Sequence, residues 1–257
     1  MIEIKNRDLE INLEDKFVDL PKELRAKMED YWNNTLIKQM PDLWNGPLLC
    51  ANKLNEDDKK IELSCCNTDY IHFMYDEKVG CPPEYGSYGL SGAILFQTSD
   101  DYYVIGNLAD TTSLPDGLTI QGGAVDKNDI KDGKIDIYQT IKREAIEEIG
   151  IDIDDRRLIT EFRIKYLVPP DDLGKGYEII SVGRLNMTKD EIDAHYKKYY
   201  EYLKNNNLEI ELKGLIFFSI ENAIEELNKC DKPKRNYLLP LFKKEEEERK
   251  NNLWKMQ

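Results

Sequence analysis

The sequence predicts an α/β protein, in which strands and helices alternate along most of the chain. Of the 257 residues, 40% are hydrophobic and 10% are aromatic, which is enough apolar material for a buried core although 33% are charged. Beyond residue 86, predicted strands alternate with predicted helices. A chain of this length accommodates one sizeable domain, or a standard domain with a smaller partner.

The charge balance is strongly acidic. Asp and Glu number 50 against 36 Lys and Arg, so the formal net charge is −14. A field of that sign repels nucleic acids and anionic lipids, and no stretch approaches the 18 apolar residues typical of a membrane span. Five Cys without paired spacing argue against a secreted disulfide framework, and the start has no apolar signal region. We therefore expect a soluble cytoplasmic protein without nucleic-acid or membrane partners.

The first part of the chain predicts a smaller α+β domain. A strand is expected over 2–11, and a helix begins at Pro21 and is ended by Pro41. Three further strands are predicted at 48–54, 60–66 and 70–75. The breaker-rich segment 81–86 then marks a boundary, which divides the chain into domains at 1–84 and 85–257.

The second part predicts the larger α/β domain. Its best-defined helix, Ile137–Ile149, has apolar residues at helical spacing and is followed by Gly150 as a stop signal. A second helix, 188–203, begins with the capping pair Thr188 and Glu191. Strands are expected at 92–97, Tyr102–Leu108, 118–120, 158–168, 177–185 and 214–218, with a loop at 169–176, a helix at 221–228 and a solvated helix face at 243–250.

Three carboxylates are predicted to share one face of the helix Ile137–Ile149. Residues three and four apart lie together on a helix, so Glu144, Glu147 and Glu148 converge. Like charges at that spacing repel one another unless a cation lies between them, and Mg²⁺ prefers oxygen ligands of this kind. A solvated acidic helix face is the other interpretation of the same spacing.

The stretch from Arg143 to Ile151 resembles the second half of the Nudix motif. That pattern reads Arg-Glu, apolar, any, Glu-Glu, any, Gly, apolar, and every specified position is met here. The pair Gly122-Gly123 closes a predicted strand upstream, as the glycine pair of Nudix proteins does. The resemblance implies a Nudix α/β/α sandwich with a mixed sheet. It also implies hydrolysis of a nucleoside diphosphate linked to another moiety.

Site roles follow from the same resemblance. Glu144 and Glu148 are implied as the leading ligands of Mg²⁺, with Mn²⁺ as an alternative metal. Glu147 and the carbonyl of Gly123 are implied as further ligands, and Arg143 as the residue that orients the carboxylates. A general base in this family often comes from a later loop. Glu211 is the leading candidate here, with Glu209 or His195 as alternatives, although His195 is expected to be a surface or packing residue.

One part of the family pattern is missing. Nudix proteins carry a Glu eight residues before the Arg and a Gly six residues before that Glu, but this sequence has Ile135 and Asp129 there. Arg143 lies twenty positions after Gly123 instead of fourteen, so the loop is enlarged. Because the missing Glu mainly supports the Arg, its displacement weakens the expectation of high activity. The candidates to replace it are Asp126, Asp132 and Asp136.

The remaining features resemble, diffusely, the animal Nudix hydrolases that split UDP-glucose or UDP-galactose into UMP and a sugar 1-phosphate. The segments concerned are 43–48, 68–73, 186–196 and 211–218. Alternatives are ADP-ribose, another sugar nucleotide or a dinucleotide as substrate, or a catalytically weak domain that only binds a nucleotide. Tyr70, His72 and Tyr88 are the expected substrate contacts, His72 lying on a predicted strand. A homodimer is expected only by analogy with the family.

Overall fold

The computed structural model describes residues 1–41, 43–112, 114–170 and 175–255. The strands are β1 (Ile2–Glu3), β2 (Asp8–Phe17), β3 (Pro47–Glu56), β4 (Lys60–Asp69), β5 (Gly89–Gln97), β6 (Tyr102–Leu108), β7 (Leu118–Thr119), β8 (Gln121–Ala124), β9 (Ile130–Lys131), β10 (Lys134–Ile135), β11 (Ile159–Val168), β12 (Gly176–Leu185) and β13 (Leu212–Ser219). The helices are α1 (Lys22–Tyr31), α2 (Ile37–Gln39), α3 (Tyr70–Lys78), α4 (Ile137–Ile149), α5 (Lys189–Asn205), α6 (Ala223–Lys229) and α7 (Leu238–Lys255).

The strands form two mixed sheets, which confirms the predicted α/β class. The larger sheet has the order β1-β11-β12-β5-β6-β13, with β7 beside β6 and β8 beside β5. Its only parallel pair among the described strands is β5 with β12. The smaller sheet has the order β3-β4-β2-β10-β9. The pairing of β8 with β5 sets Gly123 opposite Gly92, so the glycine pair lies inside the larger sheet.

Helices cover both faces of the larger sheet. On one face, α4 packs so closely that a Cβ on Gly92 would lie 2.9 Å from Cδ1 of Ile137. The glycine therefore permits this approach of helix to strand. On the other face, α7 contributes Leu238, Leu241 and Phe242 to a second buried cluster. No helix within the described residues has both the length and the apolarity needed to cross a membrane.

Strands are exchanged across the predicted domain boundary. β1 pairs with β11 in the larger sheet, although it belongs to the range 1–84. Conversely, β9 and β10 join the smaller sheet through the pairing of β10 with β2. One buried cluster contains both Ile61 and Ile94. The division at residue 84 stays a prediction, and the two sheets share a core across it.

The helix that carries the glutamates begins and ends as predicted. Asp136 caps α4 by accepting a hydrogen bond from the backbone N–H of Tyr138 at 3.2 Å. Gly150 ends it in the left-handed conformation, with φ of 70°. The predicted capping pair of α5 is also confirmed, because Thr188 and Glu191 bond to each other's backbone N–H groups.

The strand predicted at 70–75 is wrong, because these residues form α3. Asp69 caps this helix by accepting from the backbone N–H of His72 at 3.0 Å, and Arg25 holds the Asp69 carboxylate at 2.7 Å. Tyr70 meets the ring of Trp32 edge-on at 6.1 Å. Packing against the first helices therefore overrides the strand preference of the aromatic and β-branched residues.

Two other elements differ from the prediction. The strand expected over 2–11 is interrupted between β1 and β2, where Lys5 has φ of 51°. Such a left-handed residue cannot continue a strand. Of the loop expected at 169–176, residues 171–174 lie outside the described residues.

Candidate active site

Two of the three predicted glutamates point into the protein. Glu144 and Glu148 on α4 are each only 5% exposed. The side chain of Glu147 is 58% exposed, so the third carboxylate lies at the solvent side of the cluster. Arg143 connects a buried carboxylate with the exposed one, since its Nη1 donates to Glu144 Oε1 at 2.6 Å and to Glu147 Oε2 at 3.1 Å.

The glycine pair of β8 forms the wall against which the inner carboxylates lie. The backbone N–H of Gly122 donates to Glu148 Oε2 at 3.0 Å. A Cβ on Gly123 would lie 2.5 Å from Glu144 Oε1, a distance that real contacts do not allow. Only glycine therefore admits the Glu144 carboxylate at this position. The structure brings Gly123 and the inner glutamates together, as the sequence predicts.

Asp129 is the acid that binds the far side of the Arg143 guanidinium. Nη2 of Arg143 donates to Asp129 Oδ2 at 3.1 Å and to the carbonyl of Ala124 at 2.9 Å. Asp129 is only 4% exposed. Its Oδ2 also accepts from Thr140 Oγ1 at 2.9 Å and from the backbone N–H of Asp126 at 2.9 Å. Arg143 is thus held between a buried carboxylate behind it and the glutamates of α4.

The prediction that Asp126, Asp132 or Asp136 binds Arg143 is wrong, because among the described residues none of them is hydrogen-bonded to its side chain. Asp126 accepts from the backbone N–H of Asn128, and Asp136 caps α4. Asp132 is exposed, with φ of 51°. The extra residues form the short hairpin β9–β10, which returns the chain so that Asp129 faces Arg143. The capping box of Asp126 and Asp129 is the sequence signal that indicates an ordered turn here.

The inner glutamates have raised pKa values. Burial raises the pKa of Glu144 to about 7, and the negative charges of Glu147 and Glu211 contribute in the same direction, whereas Arg143 opposes them. Burial also raises the pKa of Glu148 well above its ordinary value, and the charges of Glu211 and Glu144 raise it further. The cluster therefore resists full ionisation in the absence of a cation.

Glu211 is an exposed residue whose charge acts on this cluster. It directly precedes β13, and its backbone carbonyl accepts from the N–H of Ala109 at 2.7 Å. Its charge contributes to the raised pKa of both Glu144 and Glu148. Desolvation, and then the charges of Glu209 and Glu147, raise the pKa of Glu211 itself. The candidate base Glu211 is thus near enough to Glu144 and Glu148 for its charge to raise their pKa values.

The donor set fits a hard divalent cation by its chemistry. It consists of carboxylates and backbone carbonyls, and such oxygen ligands suit Mg²⁺ and Mn²⁺. Among the described residues, no three Asp, Glu, His or Cys side chains are already gathered at metal-binding positions. Each inner glutamate is instead hydrogen-bonded to a protein donor, Arg143 or Gly122. A cation would therefore draw together carboxylates whose raised pKa values reflect mutual repulsion and burial.

The predicted substrate contacts have structural partners. Both ring nitrogens of the fully buried His72 are engaged, one with Thr68 Oγ1 at 2.7 Å and the other with the carbonyl of Tyr85 at 2.8 Å. Tyr70 stacks on Phe73 at 5.7 Å, and the hydroxyl of Tyr88 donates to the carbonyl of Pro83 at 2.9 Å. In the part of the chain that the structure describes, none of these three side chains is hydrogen-bonded to the glutamates of α4.

His195 and Tyr196 lie on α5, next to the site. His195 Nε2 lies 3.1 Å from the carbonyl of Ile149, at the end of α4, which agrees with the expected packing role. The hydroxyl of Tyr196 donates to the carbonyl of Leu212 at 2.5 Å. Burial, followed by the charges of Tyr200 and Glu148, raises the pKa of Tyr196. Sequence reasoning did not single out Tyr196, because nothing in the local pattern distinguishes it from the neighbouring tyrosines.

Comparison with known proteins gives a likeness of structure alone. No family model matches the chain, and no curated protein matches it. A NUDIX hydrolase from Alicyclobacillus acidocaldarius is 12% identical, covers 62% of this chain and 90% of its own, and has a TM-score of 0.42. A MutT protein from Methanosarcina mazei Go1 is 16% identical, with 63% and 96% covered and a TM-score of 0.41.

A third solved structure is the NUDIX domain of Shewanella oneidensis NrtR complexed with ADP ribose. It is 10% identical, covers 68% of this chain and 96% of its own, and has a TM-score of 0.41. At such identities and TM-scores, the likeness assigns neither a family nor a function to this chain.

Proposed function

We propose that this protein is a Mg²⁺-dependent Nudix pyrophosphohydrolase that splits the diphosphate of a nucleoside diphosphate sugar. One observation carries the proposal. Glu144 and Glu148 lie buried against Gly122 and Gly123, and Arg143, itself bound to Asp129, holds Glu144. Buried carboxylates with raised pKa values in such an arrangement are typical of functional sites.

A divalent cation accounts for the acidity of the site. The substrate class is anionic and the net charge of the chain is −14, so bridging cations are needed to bring the two together. When bound, Mg²⁺ neutralises the diphosphate and polarises a P–O bond. Glu144 and Glu148 are the proposed main ligands, with Glu147 and the Gly123 carbonyl as further ones. Mn²⁺ is the proposed substitute.

Of the other residues, Arg143 and Asp129 position the Glu144 carboxylate, and Glu211 accepts a proton. Arg143 holds Glu144 Oε1 at 2.6 Å, and Asp129 fixes the other end of the guanidinium. Arg143 therefore fixes the orientation of the Glu144 carboxylate. Glu211 is the proposed general base, which takes the proton from the attacking water. Its raised pKa brings it closer to neutral pH, where a base of this kind is most efficient.

The proposed specificity for a UDP-sugar rests on the diffuse sequence resemblance to the animal Nudix hydrolases that act on UDP-glucose or UDP-galactose. We propose UDP-glucose or UDP-galactose as the substrate, with UMP and the sugar 1-phosphate as products. The catalytically weak binding domain is not proposed, because Arg143 is bound to the acid Asp129 although Ile135 takes the place of the expected glutamate.

A substrate panel tests this function. Nucleoside diphosphate sugars and ADP-ribose are incubated with the protein and Mg²⁺, and phosphate is measured after addition of a phosphatase. We expect hydrolysis of the UDP-sugars and much slower hydrolysis of ADP-ribose. Glu148→Gln protein, purified in parallel, controls for contaminating activity. Equal rates on uridine and adenine substrates would reject the specificity, and no hydrolysis of any diphosphate would reject the function.

A further inference from the structure

Gln121, the first residue of β8, is buried without partners. Its side chain is 0% exposed, and neither Oε1 nor Nε2 has a hydrogen-bond partner. Among the described residues it is the one side chain that leaves two such buried atoms unpaired. Burying an amide without hydrogen bonds costs free energy, and an apolar side chain of the same shape would avoid that cost. Such a group in a folded protein needs an explanation.

The side chain lies on the face of the sheet that α4 covers. Gln121 is directly opposite Ile94 of β5, so the two side chains share a face. Ile94 belongs to the buried cluster that contains Ile141, Ala145 and Ile149 of α4. The next residue along the chain, Gly122, donates its N–H to Glu148 Oε2 at 3.0 Å. The unpaired amide therefore lies beside the inner end of the glutamate cluster.

Contacts with β6 and β13 further locate the amide nitrogen of Gln121. A Cβ on Gly106 would lie 3.5 Å from Gln121 Nε2 and 2.8 Å from Leu212 Cδ2, so these two side chains meet above the glycine. The carbonyl of Leu212 accepts from the hydroxyl of Tyr196, a residue close enough to Glu148 to feel its charge. Gln121, Leu212 and Tyr196 are thus linked by contacts on the side of the sheet where Glu148 lies.

We propose that Gln121 is a positioning residue for Glu148. Its amide donates to the Glu148 carboxylate, directly or through one water, when the site holds its cation. The proposal rests on the proposed function. In the described residues, Gly122 is the one protein donor to Glu148, and it binds Oε2 alone. A second donor would fix the plane of the carboxylate, which a single hydrogen bond leaves free to rotate.

The test replaces Gln121 with Met, which keeps the volume and removes the amide. Without metal, the thermal midpoint of Gln121→Met is expected to lie above that of the wild type, because an unpaired polar group is gone. The affinity for Mn²⁺ alone, measured by electron paramagnetic resonance titration, is expected to fall by about 10-fold or more. With Mg²⁺ and the substrate, kcat is expected to fall by a similar factor and KM to change little.

Two further variants separate positioning from packing. Ile120→Met introduces the same side chain at the adjacent residue, which is fully buried in the cluster on the α7 face. We expect its Mn²⁺ affinity to equal that of the wild type. Gln121→Asn keeps an amide but withdraws it by one methylene. We expect it to lose Mn²⁺ affinity without a gain in thermal midpoint, and it serves if the Met variant does not fold.

Each contrary result has a distinct meaning. Wild-type Mn²⁺ affinity and kcat in Gln121→Met would overturn the positioning role while leaving the proposed function intact. A lower thermal midpoint in that variant would also overturn it, because the amide would then have a partner in the metal-free protein. If the wild-type protein itself binds no Mn²⁺ and hydrolyses no diphosphate, the proposed function fails, and the inference fails with it.

Discussion

Arg143 and the buried Asp129 form a partly buried ion pair, Nη2 to Oδ2 at 3.1 Å, across fourteen positions of the sequence. The chain between them forms the hairpin β9–β10 and the start of α4. The enlarged loop therefore keeps an acid behind the arginine although the expected glutamate position holds Ile135. Asp129 thereby holds the guanidinium group that binds Glu144.

Removal of this acid should impair turnover. In Asp129→Asn, the guanidinium of Arg143 loses its buried counter-charge and holds Glu144 less firmly. We expect kcat with Mg²⁺ to fall by about 10-fold to 100-fold, the usual cost of losing such a supporting group. The exposed Asp132 offers a matched control, and Asp132→Asn should keep the wild-type rate. Equal rates for the two variants would show that Asp129 does not support the site.

The buried glutamates should destabilise the metal-free protein at high pH. The pKa of Glu144 in the folded protein, about 7, lies above its ordinary value of 4.5, so folding favours the protonated form. The free energy of unfolding therefore falls as the pH rises from 4.5 through 7. In EDTA at pH 8, Glu144→Gln should raise the thermal midpoint by a few degrees, since about 1 kcal/mol corresponds to roughly 2–4 °C at this size.

The control for this stability prediction is Glu147→Gln. Its side chain is 58% exposed, and the change should leave the midpoint nearly unaltered. The difference between Glu144→Gln and the wild type should also vanish well below pH 4.5, where the carboxyl group is protonated in both the folded and the unfolded state. A midpoint of Glu144→Gln at or below that of the wild type at pH 8 would contradict the raised pKa.

Glu211 should act in the chemical step and not in binding. If it takes the proton from the attacking water, Glu211→Gln should lower kcat by about 100-fold or more and leave KM nearly unchanged. Glu209→Gln and His195→Ala are the comparison variants, because they were the alternative candidates. A wild-type rate in Glu211→Gln, together with a collapse in either of the others, would assign the proton transfer to that residue.

Local signals in the sequence were sufficient for the helix that carries the site. The apolar spacing of Ile137–Ile149 and the stop at Gly150 act within a few residues, so the boundaries of α4 could be predicted. The family resemblance implied Glu144 and the Gly123 carbonyl as ligands of one cation, and the two residues lie next to each other in the structure.

Features that depend on distant contacts could not be predicted in the same way. The segment 70–75 has the composition of a strand, but Trp32 and the cap at Asp69 make it a helix. His72 is consequently buried, with both ring nitrogens engaged, and does not lie on a strand. Asp129 was missed as a partner of Arg143 because counting back from Arg143 assigns it to the glycine position and takes no account of the β9–β10 hairpin.

The central claim is that the glutamates of α4 hold a divalent cation required for diphosphate hydrolysis. The most direct measurement is the turnover of a UDP-sugar by Glu148→Gln and by the wild type, each with Mg²⁺ and with EDTA. We expect the substitution to cost at least about 100-fold, and EDTA to abolish wild-type activity until Mg²⁺ or Mn²⁺ is restored. Retention of most of the wild-type turnover by Glu148→Gln would contradict the assignment of α4 as the catalytic helix.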